Sequence, residues 1–156
     1  MSEPIEVSKK PQAAVDGEAW NAFIDLISRN ELQDLTPVQR IARLTWWYSS
    51  EVLNGGHDQY FGNNEHIDHW EVIPALVEIG AEQQSQLLVE VLDYYRKART
   101  EMPDGYDEYI AWERNYGYDD QMRQFDSRFH DCRPEIDALL EAYLQQHEDH
   151  FIKWVP

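Results

Sequence analysis

Apolar residues recur three and four positions apart along most of this chain, the spacing that gathers them on one face of a helix. Trp20, Phe23, Ile24 and Ile27 make the first such stripe, and they predict a helix from Asp16 to about Asn30. The second stripe has the clearest start. Thr36-Pro37-Val38-Gln39 combines an N-cap threonine, a proline at the first helical position and a glutamine that completes a capping box. Val38, Ile41, Ala42, Thr45, Trp46 and Val52 supply its inner side. It is expected to stop at Asn54, because each glycine of Gly55-Gly56 costs about 1 kcal/mol inside a helix but fits freely at a left-handed exit. His57 to Phe61 reads as one helical turn that returns Tyr60 and Phe61 to the tryptophans, with Gly62-Asn63-Asn64 as its exit.

The pattern continues to the C-terminus. A helix is expected over His66 to Ile79, with Asp68 as its cap, Pro74 delaying its regular start and Gly80 closing it. The next, Ala81 to Ala98, carries Leu87, Leu88, Val91, Leu92 and Tyr95 and ends in basic residues that suit the negative pole of its dipole. After a turn at Met102-Pro103-Asp104-Gly105, a short helix over Asp107 to Asn115 holds Tyr109, Ile110 and Trp112. Asp119 or Asp120 is expected to cap a helix using Met122, Phe125 and Phe129, and Pro134 to open the last one, with Ile136, Leu139, Leu140, Tyr143 and Leu144 on its inner face. No sustained strand alternation and no internal repeat appears. The expected architecture is all-α: one compact domain of seven or eight helices over residues 16–156, preceded by a flexible N-terminal arm over residues 1–15.

Charge changes this picture most. The chain has 13 basic and 30 acidic residues, a formal net charge of −17. From Leu44 to Tyr95 there is no lysine or arginine, while Glu51, Asp58, Glu65, Asp68, Glu71, Glu78, Glu82, Glu90 and Asp93 are all negative. A second base-free window, Thr100 to Glu113, contains Glu101, Asp104, Asp107, Glu108 and Glu113. Such a surface repels phosphates, so direct binding to nucleic acid or to an anionic membrane is disfavoured, and a charged partner should be basic. The plainer role of the charge is to keep the protein soluble. No apolar run approaches a membrane span, and nothing at the N-terminus resembles a charged segment followed by an apolar run and a cleavage site, so a cytoplasmic location is expected.

Few patterns carry catalytic chemistry. There is no phosphate loop, dinucleotide fingerprint or nucleophile elbow, and no histidine has an acid three residues before it, as a di-iron bundle requires. His66-Ile67-Asp68-His69 and His147-Glu148-Asp149-His150 are weak metal patterns, better explained as solvated or packing histidines. Cys132, the single cysteine, lies beside Asp131, which disfavours its thiolate. No cofactor is called for. Glu51, Asn54, Asp58, Gln59, Asn63 and Asn64, set among aromatics, are expected to form a buried or half-buried polar network fixing the turn. On an ideal helix Asp68, Glu71, Glu78 and Glu82 share one sector, although Gly80 interrupts it; rows of this kind imitate the phosphates of a nucleic-acid strand.

Thr36-Pro37-Val38-Gln39-Arg40, Glu51-Val52-Leu53-Asn54-Gly55-Gly56-His57-Asp58-Gln59-Tyr60-Phe61 with Asn63, Ala75-Leu76 with Glu78-Ile79-Gly80-Ala81, and Phe125-Asp126-Ser127-Arg128-Phe129 resemble the bacterial DNA-mimic protein family, most of whose members bear only a domain-of-unknown-function label. His57 stands where an aromatic is expected before Asp58, a difference that touches packing. The resemblance implies a helical fold without catalytic activity, and a homodimer whose acidic face occupies the DNA-binding surface of a transcription regulator. Glu51, Asn54, Gly55, Gly56, Asp58, Gln59, Tyr60 and Phe61 form the shared structural motif. The partner-binding surface is expected on Glu65, Asp68, Glu71, Glu78, Glu82, Asp104, Asp107, Glu108, Glu113, Asp119 and Asp120. Two other readings of the same features are an antitoxin or immunity-type inhibitor of a basic nuclease, and a metal-binding protein or enzyme.

Overall fold

Thr36 starts the longest helix as its sequence predicts: its Oγ1 accepts the Gln39 N–H at 3.4 Å and Gln39 Oε1 accepts the Thr36 N–H at 3.0 Å. In the computed structural model, which describes residues 1–8 and 12–155, this helix is α2 (Pro37–Asn63). The other described helices are α1 (Gln12–Arg29), α3 (His69–Glu78), α4 (Glu82–Glu101), α5 (Tyr106–Tyr116), α6 (Tyr118–Asp131) and α7 (Ile136–Gln146). Helix α2 packs against α1, α3, α6 and α7, and α4 closes the far side against α3 and α6. The all-α expectation therefore holds, with one addition. Strands β1 (Ile5–Ser8) and β2 (Ile152–Val155) pair in parallel, from Ile5 opposite Ile152 to Ser8 opposite Val155.

Strand β1 lies within residues 1–15, the stretch expected as a flexible arm, and α1 begins before Asp16. Lys9, Lys10 and Pro11 of that arm lie outside the described residues. Four-residue strands are too short for hydropathy alternation to reveal. Gln39 links both ends of the chain to α2: buried to 1% exposure, it donates from Nε2 to the Ser2 carbonyl at 3.2 Å and to the His150 carbonyl at 2.7 Å.

Glycine decides the centre of the fold. Helix α2 is broken where expected, with non-helical backbone at Gly55 (φ −154°, ψ 18°) and Gly56 (φ 79°, ψ 177°). Gly56 does not take the left-handed helical exit; it adopts the extended conformation at positive φ that is essentially confined to glycine. The chain then re-enters helix at His57, so the break re-aims α2 without ending it. Gly62 is not used as an exit: it has no positive φ, and Asn64 closes the helix with its N–H on the Phe61 carbonyl at 3.3 Å.

Other starts also differ from expectation. Asp68 does cap α3, accepting the Trp70 N–H at 3.0 Å, but α3 begins at His69 and Pro74 lies inside it. Neither Asp119 nor Asp120 caps α6; the residue before that helix is Gly117 at φ 71°, and the Glu113 carboxylate reaches over to accept the N–H groups of Tyr118 at 3.1 Å and Asp119 at 3.0 Å. Pro134 precedes α7 without opening it, and Glu135 stands at its N-cap position.

Gly56 and Gly62 should respond oppositely to alanine. A Cβ at position 56 would collide with the Asp126 carboxylate and strain a positive φ, whereas one at position 62 meets nothing. Urea unfolding should show Gly56→Ala destabilised by at least about 3 kcal/mol and Gly62→Ala stabilised by about 0.5–1 kcal/mol. Equal changes at the two positions would contradict the assigned geometry.

Candidate functional site

The shared motif closes around one buried histidine. His57 and Tyr48 are both fully buried, and Asp126 on α6 reaches the break in α2. Asp126 Oδ1 accepts the His57 backbone N–H at 2.9 Å and lies 2.6 Å from His57 Nδ1; His57 Nε2 lies 2.9 Å from the Tyr48 hydroxyl. A carboxylate only accepts, so Nδ1 carries the proton and Nε2 accepts the Tyr48 O–H. Burial raises the Tyr48 phenol and keeps it a donor. The Tyr-His-Asp chain fastens the break in α2 to α6, with Tyr48 and His57 fully buried. Tyr60, Phe61 and Phe129 surround it with edge-on and tilted rings: Tyr48 to Tyr60 at 5.0 Å, Tyr48 to Phe129 at 5.5 Å and His57 to Phe61 at 6.5 Å.

Part of the expected polar network is present, in two pieces. Asn63 donates to Glu51 at 2.8 Å and Gln59 to the same carboxylate oxygen at 3.4 Å, outside the core. Buried Asn64 accepts the Trp47 indole N–H at 2.8 Å and donates to the Tyr60 carbonyl at 2.7 Å. Asp58 accepts a short hydrogen bond from Tyr118. Asn54 is exposed and joins neither piece among the described residues. Asp126, the anchor of the whole motif, was visible only within Phe125-Asp126-Ser127-Arg128-Phe129; no local pattern connects it to a glycine pair so far away in sequence.

The acidic positions fall into two groups. At the end of α2, Asp58 joins Glu113 and Asp119: burial first, then a hydrogen bond from its O–H to Asp119 (3.0 Å) and the fields of Asp119, Glu113 and Asp58, push the Tyr109 hydroxyl up to about 12. The Tyr95 hydroxyl is raised mainly by burial; nearby Arg99 opposes the rise, and Asp58 and Glu65 add to it. The two base-free windows thus meet here. Asp104 lies in the preceding turn, and Asp107 and Glu108 occupy the first turn of α5, where carboxylates also stabilise the helix dipole. Helix α5 has no fully buried residue and rests on ring contacts: Trp112 with Tyr118 at 5.8 Å and Tyr94 with Tyr116 at 5.9 Å.

Glu71 and Glu78 belong elsewhere. They line a groove with Pro37, Arg40 and Pro74 at the start of α2, and about 20 Å of helix separates Arg40 from Gly55. Glu71 pairs with Arg40, and Asp120 with Arg123. As expected, Gly80 at φ 88° interrupts the sector of Asp68, Glu71, Glu78 and Glu82: Asp68 caps α3 and Glu82 opens α4.

A cavity of about 460 Å³ lies beside this second group and is lined by Arg40, Arg43, Trp47, His66 and Asp68 among others. Arg43 lies over the Trp47 ring, 4.3 Å from its centroid, and burial lowers its pKa. His69 Nδ1 lies 3.1 Å from the Tyr60 hydroxyl, and burial lowers its pKa. Among the described residues no three His, Cys, Asp or Glu side chains converge as a metal site. Buried Cys132 donates to the Arg128 carbonyl at 3.3 Å, and burial raises its pKa. No described helix is long and apolar enough to cross a membrane.

A family model described as DMP19-like protein matches residues 33–147. Comparison with curated proteins and with solved structures returned no match.

The fastening at His57 has a pH signature. Burial opposes ionisation of Asp126, but its bonds to the His57 ring and backbone outweigh this and lower its pKa. A carboxylate lowered by folding stabilises the native state above its unfolded pKa of about 3.9, and that contribution is lost as pH falls through the folded value. Asp126→Asn should therefore be less stable than wild type at neutral pH by roughly 1–3 kcal/mol, with the gap narrowing below pH ~4 in chemical denaturation. A gap independent of pH would refute the assignment.

Proposed function

Because this chain belongs to the DMP19-like protein family, we propose that it is a DNA mimic: an acidic helical protein that acts by binding a basic DNA-binding protein, such as a transcription regulator, and excluding DNA from it. The observation that carries this reading is the meeting of two base-free windows at one end of the molecule, where Asp58, Glu113 and Asp119 share the field around Tyr109. Glu65 and the exposed Asp104, Asp107 and Glu108 extend that surface. The α2 end of that surface is anchored by the buried His57–Asp126 contact before any partner arrives. Carboxylates on such a scaffold steer a basic partner and act over roughly 8–10 Å at moderate salt.

The partner surface is therefore assigned to the end of α2, α5 and the start of α6. Glu78 and Glu82 contribute long-range field, while Glu71 is paired with Arg40. Glu113 and Asp68 also serve as caps, so neutralising them confounds binding with folding.

Affinity capture from bacterial lysate at low and moderate salt, beside an unrelated bait of equal charge, tests this reading. The expected result is a DNA-binding protein retained by this chain alone and released by competing duplex DNA. Replacing Asp104 and Asp107 by Asn and Glu108 by Gln together should weaken that association by about tenfold or more at low salt, and less at high salt. Capture of the same basic proteins by both baits would overturn the reading. Capture of a nuclease with its activity blocked would replace it with nuclease inhibition.

A further inference from the structure

Outside the acidic surface, a cavity of about 150 Å³ lies between α2, α4, α6 and α7. Its chemistry is not that of an ordinary packing defect. Gln84, 2% exposed, donates from Nε2 to the Pro134 carbonyl at 2.7 Å. Since that carbonyl only accepts, the amide orientation is fixed, and the buried Gln84 Oε1 has no hydrogen-bond partner. A native structure leaves few such acceptors unsatisfied, and each asks for a donor. Ser49, 4% exposed, also lines the cavity.

The lining bears on the charge of that donor. Glu135 and Asp137 flank the cavity, together with His130 and Arg133. The one arginine there, Arg133, is held on the carbonyls of His130 and Cys132, both at 2.7 Å, and lies 3.6 Å from Glu135. Asp137 has no cation partner among the described residues, and its carboxyl is raised by burial and then by Glu135. Phe129, Ile136 and the exposed Leu53 provide apolar wall. A volume of this size exceeds what one water fills, about 30 Å³ in the liquid.

We propose that this cavity is a binding site for a primary ammonium group on an apolar stem, its N–H donors taken by Gln84 Oε1 and the flanking carboxylates and its stem lying along Leu53. The chemistry is shared by a free alkylamine and by a lysine side chain. It does not depend on the DNA-mimic reading, since none of the carboxylates around Tyr109 lines this cavity.

Titration of n-butylammonium into the full chain, followed by NMR of the Gln84 side-chain amide, tests this directly. The expected result is a saturable shift, at least about tenfold weaker for n-butyltrimethylammonium and for n-butanol, which lack N–H donors or charge respectively. Asp137→Asn should weaken n-butylammonium about threefold or more, with circular dichroism and Tm retained. In a parallel arm, tighter binding of N-acetyl-lysine methylamide than of n-butylammonium identifies the lysine source, and the reverse order the free amine; both support the site. Equal shifts from all three butyl probes, or no saturation by roughly 100 mM, would overturn it.

Discussion

The carboxylate of Asp126 is the contact on which the rest of the molecule depends. It holds both donors of His57, backbone and ring, directly after a glycine whose conformation other residues cannot readily adopt. Without that acceptor, two donors at the centre of a hydrophobic core would be left unpaired, at a cost of about 1–3 kcal/mol each. With it, α2 and α6 are locked together and the direction of residues 57–63 is set. Tyr60 and Phe61 then enter the core, and Asp58 is placed outward against Tyr118. A packing device and an electrostatic one thus share the short stretch from Gly56 to Phe61.

Much of this was legible in the amino-acid sequence, and the misses share a cause. Helical spacing located all seven described helices, because amphipathic periodicity is local. The capping box at Thr36 and the break at Gly55-Gly56 could be read for the same reason. The strand pair could not, since Ile5 and Ile152 meet across almost the whole chain. Likewise the cap of α6 comes from Glu113 on the preceding helix, while Asp119 and Asp120, the local candidates, point their charge elsewhere. His57, read as a packing substitution, is a hydrogen-bonding centre only because α6 brings Asp126 to it. For the proposed acidic surface, the sequence shows which carboxylates are candidates but not how they group in space. A helical wheel relates residues within one helix, and the relevant meeting is between the end of α2, α5 and the start of α6.

The same arrangement explains how so acidic a chain tolerates its charge. Glu71, Glu82, Asp107, Glu108, Asp119 and Asp120 lie in the first turns of their helices, where each offsets self-repulsion by its interaction with the helix dipole. Arginines neutralise Glu71, Glu90 and Asp120, but the end of α2 and the start of α5 are left without such pairing among the described residues. Helix α5 itself is held by rings and not by a buried stripe, with Tyr106 78% exposed. An element fastened this way has low local stability, and a partner bound across it would order it further.

Hydrogen–deuterium exchange on the complex with a captured basic partner tests the central claim most directly, because it reads where the partner sits without altering any charge. The expected result is new protection over residues 57–65 and 106–120, with the start of α2 and residues 71–78 unchanged. Protection confined to that second region, or to α1 and α7, would show that the meeting of the two acidic windows is not the surface the partner recognises.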